Sequence, residues 1–173
     1  MADEDVLFQD SAMVFDIINT MKSNNYTVCG VRDGGVIPHR IYNPHLINTF
    51  FSILNFKEIE KIWNKREVIE NNYVLENEFK DNLNKLEGNY DIKSTYEPYY
   101  RFYLWLRRKN KQFLFLDAKA HDDQITNSVI YNNKVFLYHT WYARSYGNNE
   151  KHTHRINVIL ALLKLENNKI YDY

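Results

Sequence analysis

The residues of this chain best suited to chemistry are Asp117 and Lys119, which end the apolar run FLFLDAKAH. Successive side chains of a strand point to opposite faces, so Asp117, Lys119 and His121 are predicted to share one face. A charge on an otherwise apolar strand is costly to bury unless it is paired or bound to a metal. The pattern therefore favours either a strand-end salt bridge or a reactive carboxylate–amine pair.

The strand that carries this pair is predicted to be the second arm of a β-hairpin. Two strand-length, aromatic-rich runs at residues 99–106 and 112–116 flank the polar sequence RRKNK, a pattern typical of hairpins. Glu97 precedes the first arm and would lie across the hairpin from Asp117. Because Glu97 comes before Pro98, its extended conformation has an ordinary explanation as well.

At these residues the chain resembles the PD-(D/E)xK nuclease superfamily, in which a carboxylate precedes a hairpin and a hydrophobic strand ends in (D/E)-x-K. The similarity covers roughly residues 74–165 and is closest to the nuclease subunits of modified-cytosine restriction systems. Asp117 and Lys119 match the (D/E)xK pair, whereas Glu97-Pro98 stands where the family has Pro-Asp. The resemblance also implies a Glu on the helix before the sheet, a position that Glu76 would take. A solvent-exposed helix Glu is the alternative.

The resemblance implies hydrolysis of DNA phosphodiester bonds with Mg²⁺ or Mn²⁺, in a restriction or defence system. Such cations activate water and stabilise developing charge, and Mg²⁺ prefers oxygen ligands. The implied metal ligands are Asp117, Glu97, Glu76 and the backbone carbonyl of Ala118. Lys119 would orient or deprotonate the attacking water. The residues expected to contact nucleic acid are His121, Lys134 and Arg144.

Composition sets bounds on this hypothesis. The 173 residues include 22 basic and 22 acidic side chains, so no net charge steers the chain towards nucleic acid. No apolar run approaches the length of a membrane span, and the acidic N-terminus is unlike a signal peptide. A single cysteine excludes a disulfide within the chain. We expect a cytoplasmic protein whose partners are DNA and, by resemblance, a separate nucleotide-hydrolysing motor subunit; a homodimer is left open.

The predicted fold is α/β, with a mixed central sheet of about four to five strands, flanking helices and a restriction-endonuclease-like arrangement. Hydrophobic spacing predicts helices at residues 13–21, 45–54, 74–86 and 132–146. Strands are predicted at 26–31, 36–42, 91–96 and 156–165, besides the central hairpin. Residues 1–70 would form an accessory region and residues 71–173 the nuclease-like core, within one compact domain.

Three other interpretations compete with a nuclease. The chain could be a non-catalytic nucleic-acid- or protein-binding module with a degenerate nuclease-like fold, in which Asp117 and Lys119 are structural. His152 and His154 have a metal-site spacing, but they lie in a charged turn where exposed loop histidines are common. The aromatic, basic run at residues 99–108 could stack bases, although half of a strand must face the core.

Overall fold

The computed structural model of the protein describes residues 1–170, with side chains through residue 164. Within this part of the chain six strands form one mixed sheet in the order β1-β6-β5-β4-β2-β3. The strands are β1 (Val6–Phe8), β2 (Tyr26–Arg32), β3 (Ile47–Leu54), β4 (Gln112–Ala120), β5 (Asn127–Tyr131) and β6 (Lys134–His139). The helices are α1 (Met13–Ser23), α2 (Phe56–Glu60), α3 (Lys65–Glu70), α4 (Tyr100–Arg108) and α5 (Glu150–Ile170), with a 3₁₀ turn at Ala143–Ser145.

The sheet curls, and the first residues of the chain pair with both of its outer strands. At one edge β1 pairs antiparallel with β6, with Val6 opposite His139. At the other edge Ala2 bridges Phe51 of β3, and the Asp3 N–H donates to the Phe50 carbonyl at 2.8 Å. Strands from both sides of residue 70 therefore share one sheet, in which β2 and β4 run parallel at the centre.

Helices cover both faces of the sheet. On the first face α1 packs its buried residues, Met13, Ile17 and Met21, against a core that includes Cys29 and Val31 of β2. On the second face α4 packs with α2 and α3 over a core that includes Val28 and Phe113. The alternation of neighbouring β2 residues between the two cores is that of a strand buried on both faces. The predicted α/β class with flanking helices is confirmed, with six strands instead of four or five.

Local patterns predicted α1, β2 and β4 correctly, but residues 99–106 are not a hairpin arm. They form most of α4, which buries Tyr100, Tyr103 and Leu104 at helical spacing. Asn110, with φ 56°, turns the chain after this helix and lets β4 begin. Aromatic side chains prefer strands, which is why the composition of this run predicts a strand. The Asp117 strand is consequently preceded by a helix.

Six further predicted elements are wrong, and the first is the strand at residues 36–42, where the chain forms turns and only an isolated bridge between Gly34 and Ile41. Residues 47–54 form β3, because both faces of this β-branched and aromatic segment are buried. Residues 74–86 and 91–96 belong to an irregular connection. Residues 132–146 hold a hairpin turn, β6 and the 3₁₀ turn. Residues 156–165 belong to α5, whose side chains of Arg155, Ile156 and Ile159 are buried while Val158 is 47% exposed. None of the helices in the described part of the chain has the length and apolar character needed to cross a membrane.

The long connection between α3 and α4 contains no helix or strand and is fastened by ion pairs. Asp81 accepts hydrogen bonds from Arg107 and from Nδ1 of His45, each at 2.6 Å. Glu78 pairs with Arg108 at 2.5 Å. Although burial opposes ionisation of Asp81, its hydrogen bond with His45 and the positive charge of Arg107 lower its pKa to about 2. These contacts fix the irregular segment against α4 and against the residues that precede β3.

We predict that Asp81 stabilises the fold at neutral pH and loses this effect in acid. A carboxyl pKa lowered from 3.8 to about 2 corresponds to roughly 2 kcal/mol, which is present above the unfolded pKa and lost as the pH falls through the folded pKa. Urea unfolding at pH 7, 4 and 3 should show the difference between wild type and Asp81→Asn shrinking below about pH 4. Asp16→Asn, on the exposed face of α1, is the matched control. A difference that does not change with pH would contradict the prediction.

Candidate functional site

The closure of the sheet brings two carboxylates to a buried histidine. Asp3 and Asp5 lie on the segment that crosses from β3 to β6, and His139 is the last residue of β6. One ligand atom from each of these three residues lies within 4.8 Å of the other two. Within the described part of the chain, no other group of three acidic, histidine or cysteine residues meets this criterion. We call these three residues the seam site.

His139 is held rigidly by aromatic rings. Its imidazole is stacked on Phe50 with centroids 4.1 Å apart, and Trp141 lies 4.0 Å away. Nε2 lies 3.1 Å from Oδ1 of Asp5, while Nδ1 is buried without a hydrogen-bond partner in the described structure. An unpaired buried polar atom is unusual and is often explained by a functional role, an ion or a water molecule.

The two carboxylates have opposite tendencies to ionise. Burial opposes ionisation of Asp5, but the hydrogen bond and charge of His139, with backbone N–H donors, outweigh burial and lower its pKa. Partial burial and the neighbouring charge of Asp5 raise the pKa of Asp3. Two carboxyl groups with pKa values shifted in opposite directions are a common arrangement where one group holds a charge and the other exchanges a proton.

The seam site opens into a surface depression with a volume of about 540 Å³. Its lining consists of Ala2, Asp3, Glu4, Asp5, Tyr142, Ala143, Arg144 and Ser145. Arg144, whose side chain is 94% exposed, lies 3.5 Å from Glu4. Exposed pairs of this kind are weak, so the Arg144 guanidinium is free to contact an anionic ligand. The depression therefore places carboxylates that could bind a metal cation next to the positively charged side chain of Arg144, which could bind an anion.

Asp117 and Lys119 lie together on the exposed end of β4, paired opposite Ile130 and Ser128 of β5. The charge of Asp117 acts on Arg32: burial lowers the pKa of the Arg32 guanidinium, and Asp81 and Asp117 oppose that effect. Arg32 itself stacks on Phe115 at 3.5 Å. Asp117 thus interacts with the nearby charge of Arg32. This is what we expect if Asp117 and Lys119 have a structural role at the end of the strand.

Glu97 lies in a different part of the molecule, at a buried network centred on Asp33. The Asp33 carboxylate is fully buried and accepts two hydrogen bonds from Arg40 at 2.7 Å. It also accepts from Asn48, Tyr99 and Tyr100. Arg40 donates in addition to Glu97 at 2.5 Å. Glu97 is therefore the ion-pair partner of Arg40 at the start of α4.

The other predicted residues are scattered. Glu76 is exposed in the irregular connection, and within the described residues Glu76, Glu97 and Asp117 do not come within metal-bridging distance of one another. Lys134 is exposed at the start of β6, and His121 packs edge-on against Tyr138 with ring centroids 5.8 Å apart. Ala118 pairs with Val129 inside the sheet. Of all the residues predicted for the site, only Arg144 lines the seam depression.

Sequence reasoning did not select Asp3, Asp5 or His139. The alternating pattern Asp-x-Asp places both carboxylates on one side of an extended segment, and this was the one signal available. Their partner is 134 positions away from Asp5, and residues 132–146 were expected to be helical. Comparison with known proteins found no matching family model, no similar curated protein and no similar solved structure.

We predict that His139 sets the ionisation of Asp5. In His139→Phe a ring still fills the space between Phe50 and Trp141, but the hydrogen bond to Asp5 is lost. The pKa of the Asp5 carboxyl should then rise, since burial opposes its charge and His139 no longer offsets burial. Titration of side-chain carboxyl carbons by NMR measures this directly, with the exposed His154→Phe as control. An Asp5 titration that is the same in wild type and His139→Phe would refute the assignment.

Proposed function

We propose that this protein is a divalent-cation-dependent hydrolase of DNA phosphodiester bonds, with its cation at the seam site. The observation that carries the proposal is the seam site itself, in which two carboxylates line a depression together with Arg144 and lie next to the buried imidazole of His139. Carboxylate oxygens and imidazole nitrogen are the usual protein ligands of divalent cations. An arginine beside them offers the planar, charged donor that suits phosphate.

The residues present fit a single cation. Ligands around one ion with bonds of about 2.1 Å lie about 3.0 to 4.2 Å apart, so side chains whose ligand atoms lie within 4.8 Å of one another can share one ion after a modest movement of the side chains. Oxygen ligands suit both Mg²⁺ and Mn²⁺, and the imidazole favours Mn²⁺ of the two. Glu4 lines the same depression, so its negative charge would help to attract a cation.

Each residue has a role that follows from its surroundings. Asp5 is held ionised by His139 and would be the principal ligand. Asp3, with its raised pKa, would be the second ligand or would exchange a proton with water near the phosphate. Arg144 would hold a non-bridging phosphate oxygen. When bound, the cation would supply a more acidic water and stabilise negative charge on the phosphate.

The family, the restriction-endonuclease-like fold and the restriction or defence context belong to another version of this proposal, in which the cation lies elsewhere in the sheet. A mixed sheet with a parallel pair at its centre and helices on both faces is compatible with a PD-(D/E)xK nuclease of a restriction system, working with a motor subunit. In that case Asp117 would hold the cation and Lys119 would orient or deprotonate the attacking water instead. The seam site has the stronger support, because Glu97 and Glu76 are not near Asp117.

The two sites make opposite predictions for matched variants. We expect cleavage of DNA, assayed on plasmid and on circular single strands with Mn²⁺ or Mg²⁺, to fall by roughly two orders of magnitude or more in Asp5→Asn and to change little in Asp117→Asn. Binding of Mn²⁺ followed by electron paramagnetic resonance should show the same contrast without depending on turnover. Loss of cutting in Asp117→Asn and not in Asp5→Asn would move the site to β4.

A non-catalytic binding module is the second candidate. It is favoured by the ion pair that holds Glu97 to Arg40 and by the exposure of Asp117 beside Arg32. On this account Asp5 and His139 only close the sheet. Folded wild-type protein that neither binds Mn²⁺ nor cuts DNA, and whose Asp5→Asn variant is merely less stable, would establish the module and exclude the hydrolase.

A further inference from the structure

The loop at the rim of the seam site contains two consecutive aromatic residues in a left-handed backbone conformation. Trp141 has φ 54° and Tyr142 has φ 60°. Residues other than glycine, asparagine and aspartate seldom adopt this region, and bulky side chains least of all. Strained residues of this kind persist only where their surroundings enforce them, and they concentrate at ligand-binding positions.

Arg155 enforces the strained conformation from inside the protein. Only 5% of this residue is exposed. Its guanidinium donates to the carbonyls of Thr140 and, at 2.9 Å, of Trp141. The same group donates to Oγ1 of Thr126 at 2.8 Å. Both backbone carbonyls that precede Tyr142 are thus fixed by a buried cation on α5.

The side chain of Trp141, the first residue of the strained pair, is also held in place. Its indole N–H donates to Oδ1 of Asn127 at 2.5 Å, and its ring packs between His139 and His39. Trp141 therefore joins the loop to the imidazole of the seam site. Movement of Tyr142 away from the depression would require breaking these buried contacts.

The consequence of this arrangement is an aromatic ring displayed next to the carboxylates. Tyr142 is 53% exposed although it is large and apolar. Its ring lies beside His152 with centroids 4.8 Å apart, and the residue lines the same depression as Asp3 and Asp5. Arg144 follows two residues later with its side chain in solvent. An exposed ring beside an arginine is the combination that holds a base and its phosphate.

We infer that Tyr142 stacks an unpaired base and that the DNA substrate of the seam site is single-stranded. The inference rests on the proposed function, which it deepens by naming the substrate class. In a duplex both faces of each base are covered by neighbouring bases, so a protein ring can reach a base face only in a single strand or after a base is flipped out. Stacking on one base and an arginine contact to its phosphate would place the adjoining phosphodiester over Asp3 and Asp5.

Binding measurements test the inference separately from cleavage. The probe is a fluorescein-labelled single strand of 12 thymidines, about the footprint of a small single-strand site, followed by fluorescence anisotropy with Ca²⁺ present. We expect the wild type to bind this strand more tightly than a duplex of equal length or an abasic strand with the same phosphates. Tyr142→Gly should weaken binding about tenfold or more, whereas Tyr142→Phe should retain it.

Glycine is chosen at position 142 so that a loss of binding cannot be explained by a change in the loop conformation. Glycine adopts positive φ without strain, so Tyr142→Gly keeps the loop conformation and removes only the ring. Tyr146→Ala is the matched control, because Tyr146 is 47% exposed on the same loop but does not line the depression. Urea unfolding of each variant is the check that it is folded.

The outcomes separate this inference from the proposed function. Equal affinity of the wild type for the thymidine and abasic strands, or equal losses in Tyr142→Gly and Tyr146→Ala, would overturn the stacking role even if DNA is cut. Loss of strand binding in Tyr142→Gly alone would uphold it, and would do so even if no variant or condition gave cleavage. In that last case the hydrolase fails and single-strand binding stands.

Discussion

The structure depends on the closure of its curled sheet by the first eight residues. This segment pairs with β3 through Ala2 and Asp3 and with β6 through β1. Closure satisfies backbone groups at both sheet edges, which would otherwise be open to pairing with other chains. It also carries Asp3 and Asp5 to His139, since the crossing between the two edges runs past the end of β6. The candidate site is therefore a direct consequence of how the sheet is completed.

Buried and partly buried charges fix the irregular parts of the fold around this sheet. Asp33 holds the segment after β2 through Arg40, Asp81 holds the connection before α4, and Arg155 holds the loop after β6. Each buried charge has several hydrogen-bonding partners, which is the condition under which burial of a charge is tolerated. Removing one partner of such a pair typically costs about 3–5 kcal/mol. Long loops can thus carry precise geometry here without regular secondary structure.

The sequence predicted those elements whose signal is local. The amphipathic spacing of α1, the alternation in β2 and the apolar run of β4 were sufficient. The aromatic residues Tyr100, Tyr103 and Trp105 of α4 favoured a strand, although their spacing together with Leu104 is helical. Asn132 and Asn133, both with positive φ, are a readable two-residue hairpin turn between β5 and β6. The seam site could not be predicted from the sequence, because it depends on a pairing between residues at opposite ends of the chain.

The most direct test of this account is a crystal structure of the wild-type protein soaked with Mn²⁺, with data collected to locate the metal by its anomalous scattering. The account predicts a peak about 2.2 Å from carboxylate oxygens of Asp3 and Asp5, on the side of the depression that Tyr142 and Arg144 line. A well-ordered seam with no metal peak, or a peak beside Asp117 on β4, would contradict it.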